Sequence, residues 1–364
     1  MLLLAPAGSR RVALMQSALA KAGRKPATVL DYQALLASPA LLAEELAAHP
    51  EVFIKLESPG ENPQLEAALI DRGWQLAGCP GARPAALQHG ELAARRYWFR
   101  GFAALMQSLE NAVQGLRPNW VNPPAQVLLM GDKLACRAQL AAAGICQPEG
   151  LGEAEIQGFD DLLARSRAMG IDRVFLKARY GSSAAGVVAC RFHRDGRLQL
   201  ESATRLVSGR LVNCLKPQRL ADAKAARALI DALCRESAYA EHWIAKPRAG
   251  SLGQFDVRLV MLRGEPRQRL ARISSGALTN LHLGNRRADV AQLLEPADRQ
   301  RLERTGRQVA QALAPAQLMG IDVIVGKNRV DVLEANAFGD LLLGVTHAGR
   351  LAHQDQAMLF GQAA

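Results

Sequence analysis

The chain opens on a short apolar run, LLLA (2–5), followed by a Gly-Ser turn and a stretch over 11–22 with helically spaced apolar residues. Strands are predicted at 27–32 (ATVLDY) and 51–58 (EVFIKLES). QLEAALIDRG (64–73) has helical periodicity, with Gly73 as its stop. Strand, helix and strand in alternation predict a small parallel α/β domain over 1–120. VNPP (121–124) is a rigid break, and a helix is expected from Asp132 to Ala143, ended by Gly144. From there the pattern shifts to period two. VFLKA (174–178) and VVACRF (187–192) flank a loop of small residues, and a helix is expected over 221–236. WIAKP, FDVRLVML and RQRLARIS, within 243–274, read as strands of an antiparallel sheet with RGEP as the turn. A helix over 297–313 and a hairpin over 321–336 follow. The expected fold class is an α/β N-terminal domain followed by α+β lobes, antiparallel sheets with helices, divided as 1–120, 121–205 and 206–364.

At 364 residues, more than one core is expected. A composition of 49% hydrophobic and 22% charged residues supports ordinary globular packing. No apolar run reaches the ~20 residues that span a bilayer. The apolar start precedes its arginines, the reverse of a secretory signal, so a soluble, cytoplasmic chain is expected. The six cysteines, at 79, 136, 146, 190, 214 and 234, form no CxxC pair and suggest reduced structural thiols. A formal charge of +11 favours anionic ligands. The arginines are dispersed and form no basic block, which disfavours nucleic acid as the partner. Oligomeric state is left open, with a dimer among the options.

The strongest local signal is GIDVIVGKNRVDVLEANAFGD (320–340). A hairpin turning at Gly326, Lys327 and Asn328 sets Asp322 across from Glu334, with Asn336 on the same face. Opposed carboxylates destabilise a bare sheet, and a hard divalent cation would reverse that sign. Asp322, Glu334 and Asn336 are therefore candidate Mg²⁺ ligands, against the alternative of a solvent-facing ribbon with hydrated acids. Asp331 should point with Leu333 to the other face.

FLKARYGSSAAGVVA (175–189) places small residues between two strands, where free backbone N–H groups could close over an anion. Gly181, Ser182, Ser183 and Gly186 belong to that loop, and Lys177 precedes it; a plain hairpin turn explains the loop equally well. Lys133, at a helix start, gains meaning only from this company. Arg258 lies inside the apolar FDVRLVML, and Arg272 inside RLARIS. On neighbouring strands the two could clamp one anion, or each could pair with an acid such as Asp256 or Glu241.

Taken in order over 121–340, these pieces resemble the ATP-grasp superfamily, especially the ribosomal-protein glutamate ligases. NPP followed by Asp132-Lys133 is similar to the entry of the family's lid. Lys177 and the loop after it resemble its second lysine and mobile glycine loop. AEHWI resembles its hinge strand, which would make Glu241, Trp243 and Ile244 adenine-side residues. The stretch from Arg258 through Arg272 to NLHLGN, including Asn280, resembles its substrate and phosphoryl segment. The 320–336 hairpin resembles its metal ribbon. The chain departs from the family at Ala178, Ala240 and AFGD (337–340). LESPGEN (56–62) resembles a segment of a bacterial branch of the superfamily, and no role is read for it. The resemblance implies ATP and Mg²⁺ as cofactors, and a small or peptide carboxylate activated as an acyl phosphate for attack by an amine, thiol or hydroxyl. It gives Arg258 and Arg272 catalytic roles, and Lys133 and Lys177 the nucleotide phosphates. An ATP-dependent phosphotransferase and a nucleotide-binding protein without ligase activity are the alternatives.

Overall fold

A computed structural model describes residues 1–60, 62–181, 185–279 and 281–362. The first apolar run is an inner strand of a parallel sheet. Its strands are β1 (Leu2–Ala5), β2 (Thr28–Asp31), β3 (Phe53–Leu56) and β4 (Asn119–Trp120), in the order β2-β1-β3-β4. The helices between them are α1 (Arg10–Lys21), α2 (Tyr32–Ala37), α3 (Ala40–Ala48), α4 (Pro63–Leu76) and α5 (Arg95–Ala112). Alternation sends Leu2, Leu4, Ile54 and Leu56 to one face, against Leu65, Leu69, Phe102 and Leu105 of α4 and α5. Leu3 faces the other way, into a core with Met15 and Leu19 of α1.

Gly73 is not the stop expected from the sequence, because α4 continues through it to Leu76. Its role is close approach. A Cβ at Gly73 would lie 1.8 Å from the Tyr97 carbonyl oxygen, and one at Gly101 would lie 1.9 Å from that of Leu69. Two glycines thus let α4 and α5 touch backbone to backbone.

Helices α6 (Pro124–Gly131), α7 (Lys133–Ala142) and α8 (Phe159–Ala168) lead into a second sheet. It contains β5 (Arg173–Ala178), β6 (Val187–Phe192), β7 (Leu198–Val207), β8 (Arg210–Leu220) and, after α9 (Ala223–Arg235), β9 (Ala238–His242). All pairings are antiparallel, in the order β8-β7-β6-β5-β9. The third sheet takes β10 (Gln254–Leu262), β11 (Glu265–Ser274), β12 (Arg286–Ala288) and, after α10 (Pro296–Ala312), β13 (Leu318–Val325) and β14 (Val330–Asn336), in the order β12-β11-β10-β13-β14. A small ribbon, β15 (Thr346–His347) with β16 (Arg350–Leu351), precedes α11 (Ala352–Phe360), which returns to pack on α1.

WIAKP, expected as a strand, is not one. The strand ends at His242, and 243–247 crosses from the second sheet to the third, so its backbone serves neither ladder continuously. The β10–β11 turn centres on Arg263 and Gly264, both with positive φ, as a two-residue hairpin turn requires. Among the described residues, no helix is long and apolar enough to cross a membrane.

Candidate active site

The second and third sheets face each other across an open cleft. Each wall is built by strand alternation. On the second sheet, Phe175 and Lys177 of β5 share a face with Glu241 of β9, which is registered opposite Phe175. The Lys177 ammonium reaches diagonally to one Glu241 oxygen, and Arg137 Nη1 of α7 holds the other at 2.8 Å. Glu241 is fully buried by these partners.

On the third sheet, Asp256 opposes Arg272, Arg258 opposes Asp322, and Asp322 opposes Glu334. The register expected for the hairpin is therefore the one observed. Both Arg258 and Arg272 bind Asp322, with Arg258 Nη2 at 2.8 Å and Arg272 Nη2 at 3.1 Å from Oδ2. Arg272 also donates to Asp256 Oδ1 at 2.7 Å, which is one of the pairings left open from the sequence. Asn336 Nδ2 donates to Glu334 Oε1 at 3.0 Å. Asp331 lies apart, bound to Arg329. Leu333 does not point away as expected: a register shift after Asp322 turns it into the cleft beside Glu334.

Lys133 joins the two walls. Its position is set by Asp132, which caps α7 by accepting from Leu134 and Ala135 and is gripped at both oxygens by Arg179. From there Lys133 Nζ donates to the Gly181 carbonyl at 2.7 Å and to Glu334 Oε2 at 3.2 Å. The lysine therefore bridges the loop and the hairpin. Gly186, at φ +69°, donates to Thr204 Oγ1, and a Cβ there would lie 2.7 Å from that of Ala178. Ser182, Ser183 and Asn280 lie outside the described residues. Ile244 lines the cleft, while Trp243 packs on Phe175 with ring centroids 5.3 Å apart.

A buried knot missed by sequence reasoning sits at the cleft floor. Lys246 Nζ donates to Asp256 Oδ2 at 3.0 Å and to Thr279 Oγ1 at 2.6 Å. Burial pushes the Lys246 ammonium below its usual range, with Asp256 pulling the other way. Burial raises the Asp256 carboxyl, but the Arg272 and Lys246 charges outweigh it and hold it well below the ordinary range. Glu334 behaves alike: burial is overcome by Lys133, Arg258 and Lys177, so the group stays ionised at neutral pH. An apolar-flanked lysine and aspartate ten residues apart were the available signal. Only the crossing of 243–247 between sheets makes them neighbours.

Six cations (Lys133, Arg137, Lys177, Lys246, Arg258 and Arg272) engage four carboxylates (Glu241, Asp256, Asp322 and Glu334). The described cleft network carries an excess of two positive charges.

A parallel α/β unit followed by two antiparallel sheets that grip a cleft between them is the ATP-grasp fold. Solved structures with this architecture include the ATP-grasp ligase PsnB complexed with minimal precursor, at 15% identity and TM-score 0.53, covering 99% of this chain and 97% of that one. D-alanine–D-alanine ligase from Bacillus anthracis complexed with ATP matches at 11% identity and TM-score 0.54, covering 99% and 95%. D-cycloserine synthetase DcsG matches at 14% identity and TM-score 0.52, covering 98% and 97%. By sequence, no family model and no curated protein matches the chain.

Proposed function

We propose that the cleft binds Mg-ATP and that the chain is an ATP-dependent ligase, activating a small or peptide carboxylate as an acyl phosphate for attack by an amine or another nucleophile. The observation that carries this reading is the cation excess. Charges packed to excess around open space call for a polyanion, and a triphosphate with one divalent ion has the right sign. The fold supports it, since ligases of this architecture have been solved with ATP, or with Mg and ADP.

Glu334 and Asn336 fit a magnesium ion, and Asp322, whose oxygens are held by Arg258 and Arg272, would join them by giving up one of those contacts. Glu334 is held ionised, and the Asn336 amide spends its nitrogen on Glu334, leaving its oxygen free to coordinate. Among the described residues, no three His, Cys, Asp or Glu side chains form a metal cluster, so phosphate oxygens and water would complete the shell. When bound, the ion screens phosphate charge and polarises the γ-phosphoryl group.

The chain's own residues supply positioning and charge. Lys133 and Lys177 neutralise phosphate oxygens. A substrate carboxylate oxygen attacks the γ-phosphorus, the bond to the bridging oxygen breaks, and ADP leaves. Arg258 and Arg272, now shared with Asp322, stabilise the charge on the transferred group. The nucleophile's lone pair then attacks the acyl carbon, inorganic phosphate departs, and the nucleophile loses its proton to solvent.

The test is a thermal-shift series with ATP, ADP and GTP, each with and without Mg²⁺, followed by product analysis. Stabilisation by ATP with Mg²⁺ is expected, and then ADP and free phosphate in the presence of the carboxylate. No shift with any nucleotide sinks the reading. ADP without free phosphate moves the chain to the phosphotransferases.

A further inference from the structure

Among the described residues, twelve buried side-chain atoms lack a hydrogen-bond partner, and three of them belong to one cluster: Glu57 Oε2, His353 Nε2 and Gln356 Oε1. Glu57 and Gln356 are fully buried, and His353 is 7% exposed. All three side chains gather around Asp340. Gln356 Nε2 donates to Asp340 Oδ2 at 2.8 Å, and Lys55 Nζ spans Glu57 Oε1 at 2.6 Å and Asp340 Oδ2 at 3.3 Å. Arg11 Nη1 donates to Asp340 Oδ1 at 2.7 Å but stands 3.6 Å from Glu57 Oε2, beyond hydrogen-bond reach. Tyr32 Oη fixes the end of β3 by donating to the Glu57 carbonyl at 2.7 Å.

The place is suggestive in itself. Glu57 directly follows β3, and Arg11 follows the turn out of β1. The sheet order reverses between these two strands, and crevices at such switch points are where open α/β sheets bind ligands. The junction also adjoins the cleft. Arg11 Nη2 donates to the Phe338 carbonyl at 2.6 Å, while Arg258 Nη1 donates to the next carbonyl, that of Gly339, at 3.3 Å. Asn336 and Asp340 are four residues apart, at most about 14 Å of extended chain.

The orphan atoms specify their complement. A carboxylate oxygen and an amide oxygen only accept. Burial keeps the His353 ring neutral, pushing it down to about 4, and in the Nδ1–H tautomer its Nε2 accepts as well. An anion has nothing to offer three acceptors; a group with three N–H donors satisfies all of them. We propose that this junction recognises a primary ammonium group carried by the substrate, its three N–H bonds going to Glu57 Oε2, Gln356 Oε1 and His353 Nε2. His353 also lines a second cavity, between α1, residues 341–344 and the first turn of α11. Its wall includes Ser17, Lys21, Leu341 and Leu342, giving the substrate's body an entrance and a largely apolar seat. Binding of the ammonium stands by itself; its place in a ligase reaction rests on the function proposed above.

The experiment measures melting temperature of the full chain with the common amino acids, their amides, their N-acetyl derivatives and tetramethylammonium chloride, each with and without Mg-ADP. Stabilisation is expected from at least one free amino acid, with none from its N-acetyl form or from tetramethylammonium, which has charge but no N–H. A response to the amide as well places the requirement on the ammonium alone. A response to the free acid only adds a carboxylate contact. Glu57→Gln should weaken amine binding at least tenfold while leaving the Mg-ADP shift intact. Should that variant fail to fold, Gln356→Met carries the same expectation. If no primary amine shifts the wild type, or the variant responds like the wild type, the three atoms hold ordered water and the proposal falls. An amine response without any nucleotide response would instead remove the ligase reading and leave the ammonium site standing.

Discussion

The cleft and the junction around Asp340 are both knots of opposite charge, yet they lack different things. The cleft is short of anions: its four carboxylates are outnumbered by six cations, and open space separates its walls. At the junction, Arg11 and Lys55 balance Glu57 and Asp340, and the deficit is in hydrogen-bond donors. Surplus charge and surplus lone pairs are separate signatures. The first asks for a polyanion, the second for an N–H-rich group, and a count of charged residues alone would have found only the first.

The comparison can be broken at several points. The largest effect should come from Glu334→Gln, which removes a charge facing Lys133. Turnover should fall by about a thousandfold with the fold intact, a loss of the size seen when a charge-stabilising group is removed. Normal steady-state rates in that variant would end the metal assignment. Next comes Arg272→Met. It takes one of two cations from each of Asp256 and Asp322, leaving Lys246 and Arg258 as their remaining partners, which should cost about 3 kcal/mol, read from the denaturant midpoint. An unchanged midpoint would mean that the cleft charges are solvated rather than interlocked.

A smaller effect follows from His353. Burial, the main cause, lowers its pKa from 6.5 to about 4. The unfolded chain therefore takes up the proton first. Stability should be full above pH 6.5 and decline as pH falls towards 4, by at most about 3 kcal/mol. His353→Gln should flatten that part of the pH profile; an equally steep profile in the variant would show that the ring is charged when folded. The smallest effect belongs to Asp222→Ala, in neither knot. Asp222 caps α9 by accepting from Ala225, so about 1 kcal/mol should be lost, with nucleotide and amine responses unchanged.

What was legible in the sequence follows from the range of the forces involved. Two-residue periodicity in IDVIV and RVDVLEAN fixed the pairing of Asp322 with Glu334, because strand geometry alone decides it. Leu333 escaped that logic, since one extra residue at the register shift re-aims a side chain without leaving a compositional mark. The hairpin β7–β8 gave no signal because its outer strand is largely exposed and carries Lys216, Pro217, Gln218 and Arg219 between its apolar positions. Lys133 carried no signal of its own because its partners, Gly181 and Glu334, are 48 and 201 residues away. Lys246, Asp256 and Thr279 meet only through the crossing between sheets. Glu57 and Asp340 stand out as acids near glycines, but nothing local tells that they share a lysine across 285 residues.

Asn122, two residues past the last strand of the parallel sheet, has a consequence for how this chain could be recombined. Its amide donates to the carbonyls of Leu318 and Ala337, and its oxygen accepts from the backbones of Gln317 and Leu318. One side chain in the connecting segment thus stitches down both the start of β13 and the residue after Asn336. A chimera that imports a foreign front half through position 122 must bring an asparagine with it, or the main chain beneath the β13–β14 hairpin loses four hydrogen bonds at once. The natural cut for domain shuffling is therefore upstream of the linker, with residue 122 inherited alongside the ribbon it fastens.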